Sequence, residues 1–184
     1  MPFTKTRIEG LLEFTPRVFR DDRGYFFESH NERLFEREGI TTHFVQDNQS
    51  KSTRGVLRGL HYQCGEHAQA KLVRVVHGRV QDVAVDLRPG SPTYGQYHSV
   101  ILDAEKHNQF YIPRGFAHGF LVLSDTAIFC YKCDNFYNKE SEGGILCTDP
   151  KLNIDWEIPE TALILSDKDQ QQAAFGAHRP VFDP

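Results

Sequence analysis

Two histidines stand in segments whose residue types suit a small-molecule site. His61 lies among apolar residues in Arg58–Gln63, and His118 follows the turn formed by Pro113–Gly115. A neutral imidazole near pH 7 is a natural general base, so either ring could take a proton from a ligand. A core histidine bonded to the backbone remains an equally open interpretation of His61. Together, on a β scaffold, the two histidines indicate a site inside a barrel.

A metal site would need more ligands than these segments supply. The Pro-x-Gly-x-x-His spacing before His118 matches the second half of the cupin pattern, whose first half offers His-x-His. Here that stretch reads His61-Tyr62-Gln63, so one ligand is missing. Glu66 could complete a partial site, but Zn²⁺ and Fe²⁺ usually require at least three protein ligands in fixed geometry. We therefore predict no metal and keep a metal-dependent cupin enzyme as the weaker alternative.

A basic strand could supply an electrophile. Lys71 and Arg74 interrupt the apolar segment Ala70–Val76. Each face of a strand here would carry one of the two charges, so alternation does not decide which side chain points inward. The outward one would extend to water. If Lys71 points inward, it could hold an oxyanion.

A tyrosine and an acidic cluster complete the candidate groups. Cys130 and Cys133 have a redox-like spacing, but residues three apart in a strand point to opposite faces, which favours core packing. Tyr131 shares a face with Cys133, as either a packed aromatic ring or a phenolic acid aimed into a cavity. Ser166–Asp169 is by default a solvated loop, although an aspartate reaching a histidine would fix its tautomer.

The scaffold that must position these residues is predicted to be mainly β. The 184 residues fit one domain spanning 1–184, and fourteen Phe and seven Tyr against one Met suit sheets better than helix bundles. Strands are predicted at 23–28, 42–50, 97–103, 109–112, 118–124 and 126–133, with a helix over 31–38 that Gly39 ends. This spacing indicates a sandwich or jelly-roll barrel over roughly 20–150, followed by a mixed C-terminal segment, 151–184.

Composition limits the partners and the compartment. A formal net charge of −4 argues against nucleic-acid binding. No apolar run approaches the roughly 20 residues that span a bilayer, and Met1–Gly10 lacks a signal-peptide pattern, so we expect no membrane partner. Four scattered cysteines are too few for a disulfide framework in a chain of this length, which indicates the reducing cytoplasm.

These segments together resemble the dTDP-4-dehydrorhamnose 3,5-epimerase family. The matching blocks extend from about residue 4 to about residue 170: Asp22–Glu28, Gln46–Asn48, Gly55–Gln63, Ala70–Val75, Asp82–Arg88, Ile112–Phe120, Tyr131–Cys133 and Ser166–Asp169. The resemblance implies a cupin-type jelly roll, usually a homodimer, that needs no metal or organic cofactor. It also implies conversion of dTDP-4-dehydro-6-deoxy-D-glucose to dTDP-4-dehydro-L-rhamnose.

The resemblance further implies a role for individual residues. His61 matches the family's base, Asp169 its partner, Tyr131 the proton donor on the other face of the sugar, and Lys71 the residue near the C4 oxygen. The positions that bind the nucleotide sugar are Arg23, Glu28, Gln46, Asp47, Asn48, Arg58, His118, Glu142 and Lys168. One departure is Cys147, where a larger aromatic residue is expected in many relatives, with an effect on packing rather than proton transfer.

Other functions stay open at this point. A 3-epimerase or a 5-epimerase of another deoxysugar would keep the same four chemical residues, and only its product would differ. A sugar-nucleotide-binding module would keep the basic, aromatic pocket without transferring protons.

Overall fold

The computed structural model describes residues 2–182, and most of its strand residues form two antiparallel sheets. The strands of the first sheet are β1 (Phe3–Lys5), β2 (Leu12–Phe14), β5 (Gln46–Thr53), β7 (Lys71–His77), β10 (Gln109–Ile112) and β12 (Thr126–Cys133). Those of the second are β6 (Leu57–Gln63), β8 (Arg79–Asp86), β9 (Tyr97–Asp103), β11 (Phe116–Val122) and β13 (Glu142–Gly144). Their orders are β1-β2-β10-β7-β12-β5 and β13-β6-β11-β8-β9.

The remaining elements are short. A hairpin of β3 (Phe19–Asp21) and β4 (Gly24–Phe26) stands apart from both sheets. The two α-helices are α1 (Glu32–Glu36) and α2 (Asp167–Gln170), and the 3₁₀ helices are Gly65–His67, Lys139–Ser141 and Glu160–Ala162.

The described residues form three apolar clusters, two of which cover the faces of the five-stranded sheet. The first lies between the sheets, where Val73 and Phe129 of one sheet pack with Ala84 and Phe120 of the other. The second lies on the outer side of the five-stranded sheet, where Val83 and its neighbours are covered by the C-terminal segment. Strand β8 is therefore buried on both faces, because the six-stranded sheet covers one face and the C-terminal segment covers the other. The architecture is the predicted jelly roll.

Several strand predictions are confirmed with their bounds. Strands 97–103, 109–112 and 126–133 coincide with β9, β10 and β12. The helix predicted over 31–38 is confirmed but shorter, Glu32–Glu36, and Gly39 follows with a φ of 83° that favours glycine. The strand predicted at 118–124 begins two residues earlier, because Phe116 already pairs with Asp86 of β8.

Other boundaries differ from the prediction. Only Gly24–Phe26 of the stretch 23–28 is a strand, and the strand expected at 42–50 runs from Gln46 to Thr53. The six-stranded sheet begins at Phe3, earlier than the expected boundary near residue 20, because the short β1 and β2 extend it beside β10.

Within residues 2–182 no helix has the length and apolar character needed to cross a membrane.

Candidate active site

A cavity of about 640 Å³ opens between the two sheets. The six-stranded sheet contributes β5, β7 and β12 to its wall, the five-stranded sheet contributes β6 and β11, and the C-terminal segment closes one side. The polar and charged side chains that line it are Asn48, Gln49, Ser50, Arg58, His61, Lys71, His118, Tyr131, Ser166, Lys168 and Asp169. The four residues predicted to be catalytic therefore line one cavity: His61, Lys71, Tyr131 and Asp169.

His61 and Asp169 form a hydrogen-bonded pair at the cavity wall. Nε2 of His61 lies 2.5 Å from Oδ1 of Asp169, although the two residues are 108 positions apart in the chain. The His61 side chain is 39% exposed, whereas that of Asp169 is 5% exposed. Burial would raise the pKa of Asp169, but the hydrogen bond and charge of His61, helped by Ser166, hold it below its ordinary value. An ionised Asp169 places the imidazole proton on Nε2 and leaves Nδ1 as the basic nitrogen.

A β-bulge in β6 brings Arg58 and His61 to the same cavity. Across β11, His118 pairs with His61 but Phe120 pairs with Arg58, so β6 contains one more residue than its partner over this stretch. In a regular strand, residues three apart face opposite sides. The bulge removes that conflict and re-aims Arg58, a device that strands commonly use beside functional sites. Gly59, with a φ of 134°, allows it, since a Cβ there would lie 2.5 Å from the Cα of Gly119.

Tyr131 and Lys71 face the His61–Asp169 pair, hereafter the dyad, from the six-stranded sheet. Tyr131 shares the inner face of β12 with Phe129, whose ring centroid is 6.0 Å away, as the alternation of the strand predicted. Burial raises the pKa of Tyr131, so the phenol keeps its proton at neutral pH. The sequence left open whether Lys71 or Arg74 points inward, and in the structure Lys71 lines the cavity. Burial lowers the pKa of Lys71, with Cys133 and Asp82 acting in the opposite direction.

A second His–Asp pair lies beside the first, on the neighbouring strand β11. Nε2 of His118 lies 3.0 and 2.9 Å from the two carboxylate oxygens of Asp82, and the side chains are only 7% and 0% exposed. Burial lowers the pKa of His118, while Asp82 opposes that shift. Asp82 was not among the sequence-predicted site residues. The sequence did contain a signal for it. Asp82 stands two residues from both Val80 and Ala84, whose side chains face the core between the sheets, so the strand alternation points its carboxylate inward.

Further polar contacts line the cavity and its rim. Nζ of Lys168 lies 2.7 Å from Oε2 of Glu142, and Nε of Arg58 donates to Oγ of Ser52 at 3.0 Å. Burial would raise the pKa of Glu142, but hydrogen bonds from Lys168 and Tyr137 lower it. A separate bond on the inward face of β5 joins Nε2 of Gln46 to Oδ1 of Asn48 at 3.0 Å.

Five predicted binding residues do not line the cavity, of which Gln46 and Glu142 lie beside it and three lie away from it. Arg23 is 90% exposed at the tip of the β3–β4 hairpin, where it pairs with Asp21. Glu28 accepts a hydrogen bond from Asn31 at 3.1 Å. Asp47 faces outward from β5 and forms an ion pair with Lys132 at 2.7 Å, because its neighbours in the strand take the inward positions. A single chain thus does not bring these three side chains to the site.

The cysteines belong to the packing of the fold. Cys133 is buried on the inner face of β12, while Cys130 lies on the opposite face near Gln49, as the parity argument predicted. Cys147 is buried beneath the C-terminal segment, and its carbonyl accepts a hydrogen bond from the Trp156 indole. Burial raises the pKa of Cys147 to about 11. Within residues 2–182, no three His, Cys, Asp or Glu side chains are grouped closely enough to hold a metal ion.

Comparison with known proteins identifies the family of this chain. Residues 5–176 match the sequence profile described as dTDP-4-dehydrorhamnose 3,5-epimerase. The chain belongs to the dTDP-4-dehydrorhamnose 3,5-epimerase family. A dTDP-4-dehydrorhamnose 3,5-epimerase of Shigella flexneri is 55% identical over 170 residues, which cover 92% of this chain and 93% of the relative.

Solved structures of the epimerase family agree with the fold. The crystal structure of a dTDP-4-dehydrorhamnose 3,5-epimerase from Elizabethkingia anophelis has a TM-score of 0.91 and 58% identity, covering 95% of this chain and 96% of the other. A Legionella pneumophila epimerase, solved in complex with dTDP-4-keto-L-rhamnose, has a TM-score of 0.90 and 50% identity, covering 95% and 92%. The predicted cupin-type jelly roll is thereby confirmed.

Proposed function

We propose that this cavity epimerises C3 and C5 of dTDP-4-dehydro-6-deoxy-D-glucose to give dTDP-4-dehydro-L-rhamnose, without a cofactor. The observation that carries the proposal is that His61 and Tyr131 line one cavity from opposite sheets. Inversion at a carbon needs a base on one side of the sugar ring and an acid on the other. The Legionella relative with bound dTDP-4-keto-L-rhamnose supports this choice of ligand.

The first step is removal of a proton beside a carbonyl. A hydrogen on C3 or C5 is acidic because the C4 carbonyl can take the electron pair as an enolate. In our proposal Nδ1 of His61 accepts that proton, and Asp169 stabilises the imidazolium through Nε2. Lys71 stabilises the negative charge that develops on the C4 oxygen, in a cavity where burial strengthens the interaction.

The second step is protonation from the opposite face. Tyr131 is the proposed acid, since burial keeps its phenol protonated until the enolate forms. The enolate carbon takes the phenolic proton, and the phenolate regains one from solvent while the imidazolium releases the proton it removed. Proton transfer by a positioned side chain typically contributes about 10²–10⁴-fold to the rate.

Binding of the nucleotide diphosphate falls to the basic and amide groups around the cavity. Arg58 and Lys168 offer positive charge to the diphosphate, although the chain as a whole is negative. The remaining proposed contacts within one chain are Gln46, Asn48, His118 and Glu142.

A second copy of the chain would supply Arg23 and Glu28, so we propose a homodimer. The β3–β4 hairpin that precedes Glu28 exposes the rings of Phe19, Tyr25 and Phe26, an apolar surface that association would cover. Replacing Phe26 with Asp should shift the protein towards monomer in sedimentation analysis and weaken substrate binding. A monomeric wild-type protein with full affinity would contradict this arrangement.

Deuterium incorporation tests the proposed reaction. The protein is incubated with dTDP-4-dehydro-6-deoxy-D-glucose in D₂O, and the label is located by NMR. We expect deuterium at both C3 and C5, with the L-rhamno sugar after reduction. Label at one carbon would assign a single-site epimerase instead, and bound ligand without label would indicate a binding module.

We place the protein in the cytoplasm. Cys130, Cys133 and Cys147 form no disulfide, which fits a reducing compartment. The net charge of −4 supports the expectation that nucleic acids are not partners.

A further inference from the structure

The partner of the proposed base is carried by one turn of helix. Asp169 belongs to α2, which contains only four residues, Asp167–Gln170. Isolated helices shorter than about 12 residues are marginal in water, so α2 depends on its surroundings for its order. The position of the Asp169 carboxylate is therefore only as well defined as the contacts that hold this turn.

Backbone hydrogen bonds hold the chain on either side of the turn. The amide of Ile164 donates to the carbonyl of Gly55 at 2.8 Å, and the amide of Leu57 donates to the carbonyl of Ile164 at 3.1 Å. Beyond the turn, the amide of Leu146 donates to the carbonyl of Ala173 at 2.9 Å. Residues 165–172 thus cross the side of the cavity as a bridge between two anchors.

Ser166 caps the helix inside this bridge. Its backbone is extended, with φ −71° and ψ 157°, and its Oγ accepts a hydrogen bond from the amide of Asp169 at 3.1 Å. Its carbonyl accepts from the amide of Gln170 at 3.0 Å. The cap therefore fixes the backbone of the same residue whose carboxylate holds His61.

The other side-chain contacts of the bridge are weaker supports. Lys168 and Glu142 form an ion pair whose side chains are 57% and 31% exposed, and ion pairs in contact with water contribute little to stability. The amide of the Gln170 side chain donates to the carbonyl of Leu165 at 3.3 Å, a long bond at an exposed position. Beside the packing of Leu165 against the core, Ser166 is thus the main polar side-chain restraint on the backbone of Asp169.

We propose that Ser166 is a positioning residue for the His61–Asp169 dyad and that it acts on the reaction through Asp169. This inference rests on the proposed function, because it assigns Ser166 to the proton abstraction that His61 performs. Its hydroxyl accepts the Asp169 amide hydrogen and needs no contact with the sugar. Loss of the cap lets the turn unwind, which lowers the fraction of molecules in which the carboxylate orients the imidazole.

Substitution of Ser166 measures this effect. Replacing a serine cap by alanine typically shifts a helix equilibrium about fivefold, and about thirtyfold at most, so Ser166→Ala should lower kcat measurably, with that shift as the upper limit of the loss. Ser166→Thr keeps a capping hydroxyl and should restore kcat to within about twofold of the wild type. Ser166→Cys, which is similar in size but caps poorly, should resemble Ser166→Ala.

A double-mutant cycle separates positioning from a general structural role. If Ser166 acts through Asp169, then adding Ser166→Ala to Asp169→Asn should cause no further loss of kcat. Ser124→Ala is the matched control, since Oγ of Ser124 also accepts a backbone amide hydrogen, from Arg79 at 2.8 Å, but does not line the cavity. That control should keep the wild-type kcat.

Two results would overturn the inference: wild-type kcat in both Ser166→Ala and Ser166→Cys, or an equal loss from Ser166→Ala with and without Asp169. Thermal unfolding of each variant shows whether a loss of kcat comes from misfolding. If Ser166→Ala misfolds, the kcat of Ser166→Cys decides the test. Failure of the proposed function is a separate result, because the wild-type protein itself would then place no deuterium on C3 or C5.

Discussion

The molecule holds two His–Asp pairs side by side, and the difference between them explains how one pair is available for chemistry. His61 and His118 are paired across β6 and β11, and each uses Nε2 to contact a carboxylate. The His61 side chain is 39% exposed, whereas that of His118 is 7% exposed. The two pairs are thus alike in residue type and differ in access to the cavity.

The carboxylates also come from different parts of the fold. Asp82 lies in β8, an interior strand between β11 and β9 that is buried on both faces. Asp169 lies in a one-turn helix that reaches the cavity from the C-terminal segment. A carboxylate on a central strand cannot move without disturbing the core, whereas one on a short helix depends on local contacts. In our proposal the first pair serves the reaction, whereas the second mainly stabilises the architecture, although His118 also lines the cavity.

The largest expected effect separates the pairs by activity. His61→Asn should lower kcat by about 10²–10⁴-fold, because the proposed proton acceptor is lost while the half-exposed position tolerates the change. Steady-state assays and thermal unfolding measure the two effects. His98→Asn is the matched control, since His98 also contacts a carboxylate, Glu13 at 3.1 Å, but lies outside the cavity. Equal losses of kcat in the two variants would contradict the comparison.

The next effect separates the pairs by stability. Asp82→Ala should lower the free energy of unfolding by about 2–3 kcal/mol, because it leaves the N–H of a buried imidazole without its acceptor. Asp169→Ala should cost about 1 kcal/mol, since water can reach the exposed ring of His61. Urea unfolding gives both values. The comparison fails if Asp169→Ala proves the more destabilising of the two.

The smallest effect is a pH dependence of stability. Burial lowers the pKa of His118 in the folded protein, so the unfolded chain binds more protons below its own pKa of about 6.5. The resulting stability is complete above pH 6.5 and is lost as the pH falls, with a slope of at most about 1.4 kcal/mol per pH unit. His118→Gln should reduce this slope in urea unfolding between pH 7.5 and 5.5. An unchanged slope would assign the dependence to other groups.

Much of the scaffold could be predicted because it follows from local pattern. The strands ending at Asp103, Ile112 and Cys133 are short segments rich in β-branched and aromatic residues, and the structure gives them the predicted limits. The inward position of Tyr131 follows from the alternation of the strand. Such features need only the composition and period of a strand and no knowledge of distant contacts.

The remaining features depend on interactions that the local pattern does not contain. The bulge in β6 arises from its pairing with β11, so the shared face of Arg58 and His61 was not predictable. The contact between His61 and Asp169 spans 108 residues and was expected only through the family resemblance. Arg23 was expected in the site, yet one chain leaves it on an exposed hairpin, because its role would depend on a second copy.

Isotope exchange in the His61→Asn variant tests most directly that proton transfer belongs to the exposed pair. Wild-type protein and variant are each saturated with dTDP-4-dehydro-6-deoxy-D-glucose in D₂O, and NMR follows deuterium at C3 and C5 over time. We predict label at both carbons in the wild type and at neither in the variant over the same interval, with substrate binding retained. Label entering either carbon of the variant's ligand at the wild-type rate would contradict the account.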